Sequence, residues 1–390
     1  MFSDRTDWKL ARNRFTEAVE EARARGVHLI DLTASNPTLV GLHYDDKAIL
    51  ASLNAPQSLT YDPQPRGLRS AREAVVAYYG DNHGIGRLNV GQLVLTTSTS
   101  EGYSFVFRLL CNPGDEILVP KPSYPLFEFL ADLQDVKLAP YPLIYDHGWQ
   151  IDGPSLEKAL TKRTRGVVVV HPNNPTGSYV RTEDREALNR LCAQQSLALI
   201  ADEVFLDYPH DGAKRASFAA NDDVLTFTLS GISKISALPQ MKVAWIATTG
   251  PAVVVEAAVA RLEVIADTYL SMNAPIQCSV PVLLQQRGNI QKQLLSRMTG
   301  NLAELDRQLS RQSACQRLSV EGGWYAVLRV PVTRSDEELA VELVKLKSVI
   351  VHPGHFYDFP RDGYLVVSLI TPADEFAEGV SRLLQSVDAD

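Results

Sequence analysis

The sequence predicts an α/β protein, with a large domain built on a mostly parallel sheet flanked by helices and a smaller α+β unit beside it. Three observations carry this expectation. From about Gln92 to Ala247, short β-type runs alternate with helical ones. Some of these runs, such as Val167-Val168-Val169-Val170, are apolar at every position, as a strand covered on both faces requires. Toward the C-terminus the pattern changes to a few strands mixed with helices, which reads as a second, smaller unit.

In chain order, an amphipathic helix is expected over Trp8–Arg25, closed by Gly26, then an extended Val27–Leu32 and a polar turn, Ser35-Asn36-Pro37-Thr38. The strand-like runs of the central region are Leu93–Thr96, Glu116–Val119, Gly166–Val170, Leu197–Ala201, Val224–Leu229 and Val243–Ala247. Helical segments between them include Glu101–Leu110, Tyr124–Leu133, Leu156–Leu160 and Glu183–Gln194. A long helical stretch runs from Ala274 to about Ser313. The remainder holds strands at Trp324–Val330, Val349–Val351 and Tyr364–Leu369, with helices at Asp336–Lys345 and Pro372–Ser386.

Composition narrows the function. The chain has 390 residues, enough for two domains. Lys+Arg number 38 against 46 Asp+Glu, a net charge of −8 with no basic block, so a nucleic-acid partner is not expected. Four scattered cysteines without a C-x-x-C pair give neither a disulfide framework nor a zinc knuckle. His352 and His355 flank a Pro-Gly turn rather than one helix face, and no metal is expected. The charged N-terminus lacks the apolar core of a signal peptide, and no apolar run approaches the ~20 residues that span a bilayer. A cytoplasmic protein away from membranes is the expectation.

Five local strings bear on chemistry, each at the end of a strand. Thr96-Thr97-Ser98-Thr99-Ser100-Glu101-Gly102 opens a helix, where hydroxyls and free N–H groups suit a phosphate; Ser98 and Glu101 read equally as a capping box. Pro122-Ser123-Tyr124-Pro125 places a ring that stacks on a planar ligand or packs into the core. His171-Pro172-Asn173-Asn174-Pro175-Thr176-Gly177 is a stiff turn carrying two amides, which serve a ligand or the turn itself. Asp202 closes an apolar strand, where a carboxylate needs a partner or caps a helix. Lys234, in Ser230-Gly231-Ile232-Ser233-Lys234, follows the next strand; desolvation there lowers its pKa and makes the amine nucleophilic, whereas a surface loop leaves it inert.

Taken in order, with 28 residues from Asn174 to Asp202 and 32 more to Lys234, the strings resemble those of the fold-type-I pyridoxal-phosphate enzymes, most closely the class I/II aminotransferases. The resemblance extends from about Asp31 to Pro372. It includes Tyr61, Gly67-Leu68-Arg69, Pro113-Gly114-Asp115, Asn174-Pro175-Thr176-Gly177, Ser233-Lys234 and Pro353-Gly354. It implies pyridoxal 5'-phosphate as cofactor, an amino donor and an oxo-acid acceptor as substrates, and a homodimer with shared sites. It also implies a small domain assembled from both chain ends: residues 1–45 as N-terminal arm, 46–285 as cofactor domain and 286–390 as small domain. By the same resemblance, Lys234 forms the Schiff base and shuttles the proton, and Asp202 pairs with the pyridine nitrogen. Asn174 donates to the ring oxygen and Tyr124 stacks on the ring. Ser98, Thr99, Ser100, Ser233 and Lys242 surround the phosphate, and Tyr61 reaches the neighbouring subunit's phosphate.

Several positions depart from the family pattern. Phe205 stands where a tyrosine usually donates to the ring oxygen, Lys242 replaces an arginine, and Gly231 replaces a phosphate-binding serine. Val366 occupies the place of the arginine that holds the substrate carboxylate; Arg66, Arg329 and Arg361 are the candidate replacements. The N-terminal Ser35-Asn36-Pro37 also differs from the glycine usual near the substrate. An aminotransferase is the leading expectation. A lyase, a decarboxylase or a cyclising enzyme on the same scaffold, or a transaminase for a substrate without that carboxylate, is the alternative.

Overall fold

The computed structural model describes residues 1–8 and 10–387, so Lys9 of the expected first helix and the last three positions of the expected small domain lie outside it. A short N-terminal strand, β1 (Ile30–Asp31), precedes the large sheet. The sheet comprises β2 (Leu93–Thr96), β3 (Glu116–Lys121), β4 (Lys137–Tyr145), β5 (Trp149–Ile151), β6 (Thr164–Val170), β7 (Ala198–Asp202), β8 (Thr226–Gly231) and β9 (Ala244–Thr249). Their order across the sheet is β2-β9-β8-β7-β6-β3-β4-β5. β9 runs against both neighbours and β5 against β4, while β3, β4, β6, β7 and β8 are parallel.

The apolar runs follow from cover on both faces. Val168 and Val170 point into one layer with Tyr103, Phe107, Leu262 and Ala266 from helices Thr99–Leu110 and Ala252–Tyr269. Val167 and Val169 point the other way, toward Leu188 and Cys192 of helix Thr182–Gln195. Each buried valine adds about 1.5–3 kcal/mol of transfer free energy, so neither face tolerates a polar residue at mid-strand.

The second layer is built from both chain ends. Here β10 (Gln316–Arg317), β11 (Tyr325–Arg329), β13 (His352–Pro353) and β14 (Tyr364–Ser368) form an antiparallel sheet in the order β10-β11-β14-β13. β12 (Val349–Ile350) pairs instead with β1, Ile30 opposite Val349. Helices Arg287–Leu309 and Ala373–Val387 contribute Leu294, Met298, Phe376 and Val380 to its core.

The six expected central strands are present, with ends shifted by up to two residues. Differences from expectation have local causes. The first helix begins at Arg14, not Trp8, because the Asn13 side chain accepts the Thr16 N–H and caps it there. The helix expected from Tyr124 starts at Leu126, after Pro125, which leaves Tyr124 in the loop. The stretch from Ala274 is two helices, Ala274–Gln285 and Arg287–Leu309, rather than one to Ser313. The helix from Asp336 is α-helical to Glu342 and widens into a π turn over Leu343–Lys347.

Candidate active site

The sheet brings six distant segments to one edge. The parallel strands β3, β6, β7 and β8 end there, β2 ends there too, and the reversed β9 starts there. Across that edge lie Ser98–Ser100 after β2, Lys242 before β9, Ser233 and Lys234 after β8, Asp202 at the end of β7, Asn174 after β6 and Tyr124 after β3. At ~4.8 Å per strand, these six positions span about 24 Å. Ligands bind beyond the carboxyl ends of such strands.

Asp202 and Lys234 form the chemical centre. Tyr103 donates to Asp202 Oδ2 at 3.1 Å and the Val204 N–H donates to Oδ1 at 3.1 Å, so both oxygens are oriented. Burial pushes the carboxyl up to about 6, against the opposing pull of the Val204 N–H, Tyr103 and Lys234. Burial draws the Lys234 ammonium down to about 8, opposed by the charge of Asp202. The Lys234 Nζ lies 4.5 Å from the Trp324 ring centroid and 5.4 Å from that of Phe205, two rings that displace water from it. The amine is therefore largely stripped of solvent, which makes it a nucleophile near neutral pH.

The two asparagines separate in role. Asn173 Oδ1 accepts from the Thr176 hydroxyl at 2.9 Å, and its carbonyl accepts the Gly177 N–H at 2.8 Å, which folds the turn. Asn174 Oδ1 is buried with no hydrogen-bond partner among the described residues. A buried amide oxygen left unpaired marks a position that a bound group completes. Tyr124 remains 46% exposed, available to a ring, and its loop is tied to the small domain where the Ser123 N–H donates to the Tyr357 carbonyl at 2.9 Å.

At the phosphate end, Ser98 caps helix Thr99–Leu110 by accepting the Glu101 N–H at 3.1 Å. The expected capping box is displaced by one residue, because the Glu101 carboxylate accepts from Thr97 N–H and Oγ1 rather than from Ser98. Thr99 and Ser100 occupy the first helical turn, whose N–H groups have no intrahelical acceptor. Ser233 lies within the short helix Ile232–Ile235, and Lys242 is exposed at the start of β9. Gly231 has a steric reason: an added Cβ would sit 2.7 Å from the Val243 carbonyl oxygen and 2.9 Å from Ala244 Cα. Serine does not fit there.

The small sheet holds Val366, where the resemblance implies a carboxylate-binding arginine. Val366 is fully buried at the centre of the small sheet, opposite Val327 on one side and His352 on the other. Of the candidate replacement cations, Arg66 is held by Glu263 at 3.3 Å and by the Gly91 carbonyl. Arg361 is exposed. Arg329 stands five residues beyond Trp324 along β11, a run of about 16 Å, with its guanidinium 5.9 Å from the Tyr145 ring centroid. The structure places none of the three against Val366. Tyr61 is 82% exposed, away from the lysine, and lines an open groove of about 780 Å³ with Arg69, Leu270, Met272 and Gln277.

Tyr103, Trp324 and Tyr208 escaped the sequence reading. Trp324 is placed by the preceding loop: the Gly322 N–H donates to the Gly177 carbonyl at 2.9 Å, and a Cβ on Gly322 would meet the Tyr208 carbonyl oxygen at 2.7 Å. Gly322-Gly323 ahead of an aromatic residue was the available signal. Tyr103 looked like any other core residue of an amphipathic helix.

Strand-end placement, a desolvated lysine, an oriented carboxylate, an unpaired buried amide and a helix N-terminus fit an aldehyde-bearing, phosphorylated pyridine ring. Topology and chemistry together define the scaffold of a pyridoxal-phosphate enzyme. Residues 27–383 match the family Aminotransferase class I and II, and the chain belongs to that family. It is 28% identical over 370 residues to the alanine aminotransferase of Mycobacterium tuberculosis, covering 92% of this chain and 86% of that one. With the glutamate-pyruvate aminotransferase AlaA of Escherichia coli it shares 25% identity over 368 residues, covering 92% and 90%. The solved alanine aminotransferase from Pyrococcus furiosus superposes with a TM-score of 0.91 over the whole of both chains, at 20% identity. The protein is thus a pyridoxal-phosphate-dependent transaminase.

Proposed function

We propose that Lys234 is the attachment point of the cofactor and the base that moves the reacting proton. In this reading Asp202 faces the pyridine nitrogen, and the substrates are a small amino acid and a 2-oxo acid of the alanine, glutamate and pyruvate class. The observation that carries the proposal is the opposed pair at neighbouring strand ends, an amine drawn down to about 8 and a carboxyl pushed up to about 6. Near neutral pH such a lysine exchanges its proton readily, as a general base must. Asp202 is still mostly ionised there and accepts a ring N–H, with its orientation fixed by Tyr103 and Val204. When bound, pyridoxal phosphate supplies the electron sink.

Asn174 donates its side-chain NH2 to the ring oxygen, and Tyr124 covers one ring face. Ser98, Thr99, Ser100, Ser233 and Lys242 hold the phosphate; with Lys242 in place of an arginine, the charge is kept without a bidentate fork. Tyr61 serves the site of a second copy, which its high exposure and the open groove beside it favour. The substrate class is supported by the names of the alanine and glutamate-pyruvate relatives. A cytoplasmic location fits four scattered cysteines with no C-x-x-C pair, and a homodimer fits the exposed Tyr61.

The test is chemical. Borohydride reduction of the yellow holoenzyme, followed by peptide mapping, is expected to place the pyridoxyl mass on Lys234; its appearance on another lysine overturns the assignment. Mixing the holoenzyme with alanine or glutamate is expected to convert the spectrum to that of the pyridoxamine form.

A further inference from the structure

Lys234 sits in a helix of only four residues, Ile232–Ile235, so most of its carbonyls lack acceptor duty within the helix and must be satisfied elsewhere. Two side chains from remote parts of the sequence do this, and a third holds the turn just beyond the helix. The Tyr208 hydroxyl donates to the Lys234 carbonyl at 2.5 Å, beside the weaker Ala237 N–H at 3.2 Å. Gln291 Nε2 donates to the Ile235 carbonyl at 2.9 Å and to Asp207 Oδ2 at 2.8 Å. The Tyr44 hydroxyl donates to the Ala237 carbonyl at 2.9 Å.

Asp207 is itself fixed from the other side, by the Tyr78 hydroxyl and His83 Nε2, each 3.1 Å from Oδ1. Tyr208 does more than cap a carbonyl. Its own carbonyl accepts the Gly323 N–H at 3.0 Å, and its ring lies 5.5 Å from that of Trp324 in a tilted, edge-on contact. One fully buried residue therefore holds the lysine's backbone by its hydroxyl, and by its carbonyl the segment that carries Trp324 against the lysine's amine.

We propose that Tyr208 is a positioning residue for Lys234, acting with Gln291 and Tyr44 to fix the lysine peptide so that the amine stays between Trp324 and Asp202. The inference rests on the assignment of Lys234 above. Tyr208 touches neither the amine nor Asp202 through any hydrogen bond, so its effect belongs in the turnover step rather than in substrate binding. A displacement of an ångström at a reacting group is enough to cost one to two orders of magnitude in rate.

The test compares Tyr208→Phe with Tyr79→Phe. Tyr79 is an equally buried tyrosine whose hydroxyl accepts from Trp245 Nε1 at 3.1 Å and bonds to no backbone group of the lysine helix. Both variants are expected to lower the melting temperature. Only Tyr208→Phe is expected to reduce kcat, by about tenfold with KM for the amino donor unchanged, and to weaken the visible circular dichroism band of the bound cofactor. A Tyr208→Phe enzyme whose kcat and dichroism match those of Tyr79→Phe overturns the proposal. If Tyr208→Phe does not fold, Gln291→Leu and Tyr44→Phe carry the same comparison. Borohydride mapping of each variant separates the two levels: label on a lysine other than Lys234 removes the assignment itself, whereas label on Lys234 with wild-type kcat removes only the role of Tyr208.

Discussion

The two walls of the site are made differently. On the large-sheet wall, the segments that carry the site are anchored: Asp202 by Tyr103 and Val204, the Lys234 carbonyl by Tyr208, the Asn174 turn by Asn173. On the small sheet, the position at which the resemblance implies a carboxylate-binding arginine is a valine sealed between Val327 and His352. His352 does not replace that charge. Its Nδ1 lies 3.0 Å from the Tyr357 hydroxyl, and burial pulls its imidazole down to about 4, so it is neutral at pH 7. The large-sheet wall keeps the amine, carboxylate and amide that the resemblance implies, with changes at Phe205, Gly231 and Lys242, whereas the small sheet carries apolar and neutral residues around Val366. Chemistry and specificity are separable because different layers of the fold carry them.

Four substitutions probe that contrast. Lys234→Ala removes the amine proposed to move the proton and is expected to lower kcat by about 10⁴-fold; near-normal turnover would mean that the reacting amine lies elsewhere. Val366→Arg places a guanidinium in a closed apolar position, where an unpaired buried charge costs on the order of 3 kcal/mol or more. Urea unfolding is expected to show that loss. A variant as stable as wild type with a lowered KM for the amino acid would show instead that this wall opens to substrate.

Asp202→Asn is expected to reduce kcat by about 10²-fold through loss of charge at the ring nitrogen. The same variant has a pH signature in the cofactor-free protein. The wild-type carboxyl titrates near 6 when folded against an ordinary 3.8, so its contribution favours folding below pH 3.8 and is lost as pH rises through 6. Thermal unfolding of cofactor-free Asp202→Asn should lack that loss, leaving it more stable than wild type at pH 7. The smallest effect is at Phe205, whose ring packs 5.3 Å from Trp324 and offers no donor. Phe205→Tyr is expected to lower the pH midpoint of the holoenzyme's visible absorbance titration by about one unit. An unmoved midpoint would mean that the hydroxyl does not reach the ring oxygen.

Much of the large-sheet wall was legible because its signals are local. An apolar run ending in Asp202, or in Ser233-Lys234, is written in consecutive residues. β4 was missed because Pro140 and Pro142 interrupt it; both are accommodated only because the strand lies near the sheet's edge, with β5 pairing just its last residues. The break falls at Gln286, which is neither proline nor glycine, and Gly288 two residues on lies inside the second helix. The tyrosine cradle was invisible for another reason. Tyr44, Tyr208 and Gln291 act through single hydrogen bonds to carbonyls 193, 26 and 56 residues away, and no spacing rule connects such positions.

The joining of the chain's two ends sets a timetable for its synthesis. The Ser368 hydroxyl donates to the carbonyl of Ala34, 334 residues earlier, close to where Ile30 pairs with Val349. At about 5–20 residues per second, the N-terminal strand waits roughly 17–67 s after it is made before its partners exist. Throughout that interval Phe15, Val19, Ile30 and Leu32, all buried in the finished protein, have no native surface to cover them. A nascent chain stalled before β12 therefore exposes its beginning rather than its end, and that segment is the natural place for a chaperone to bind.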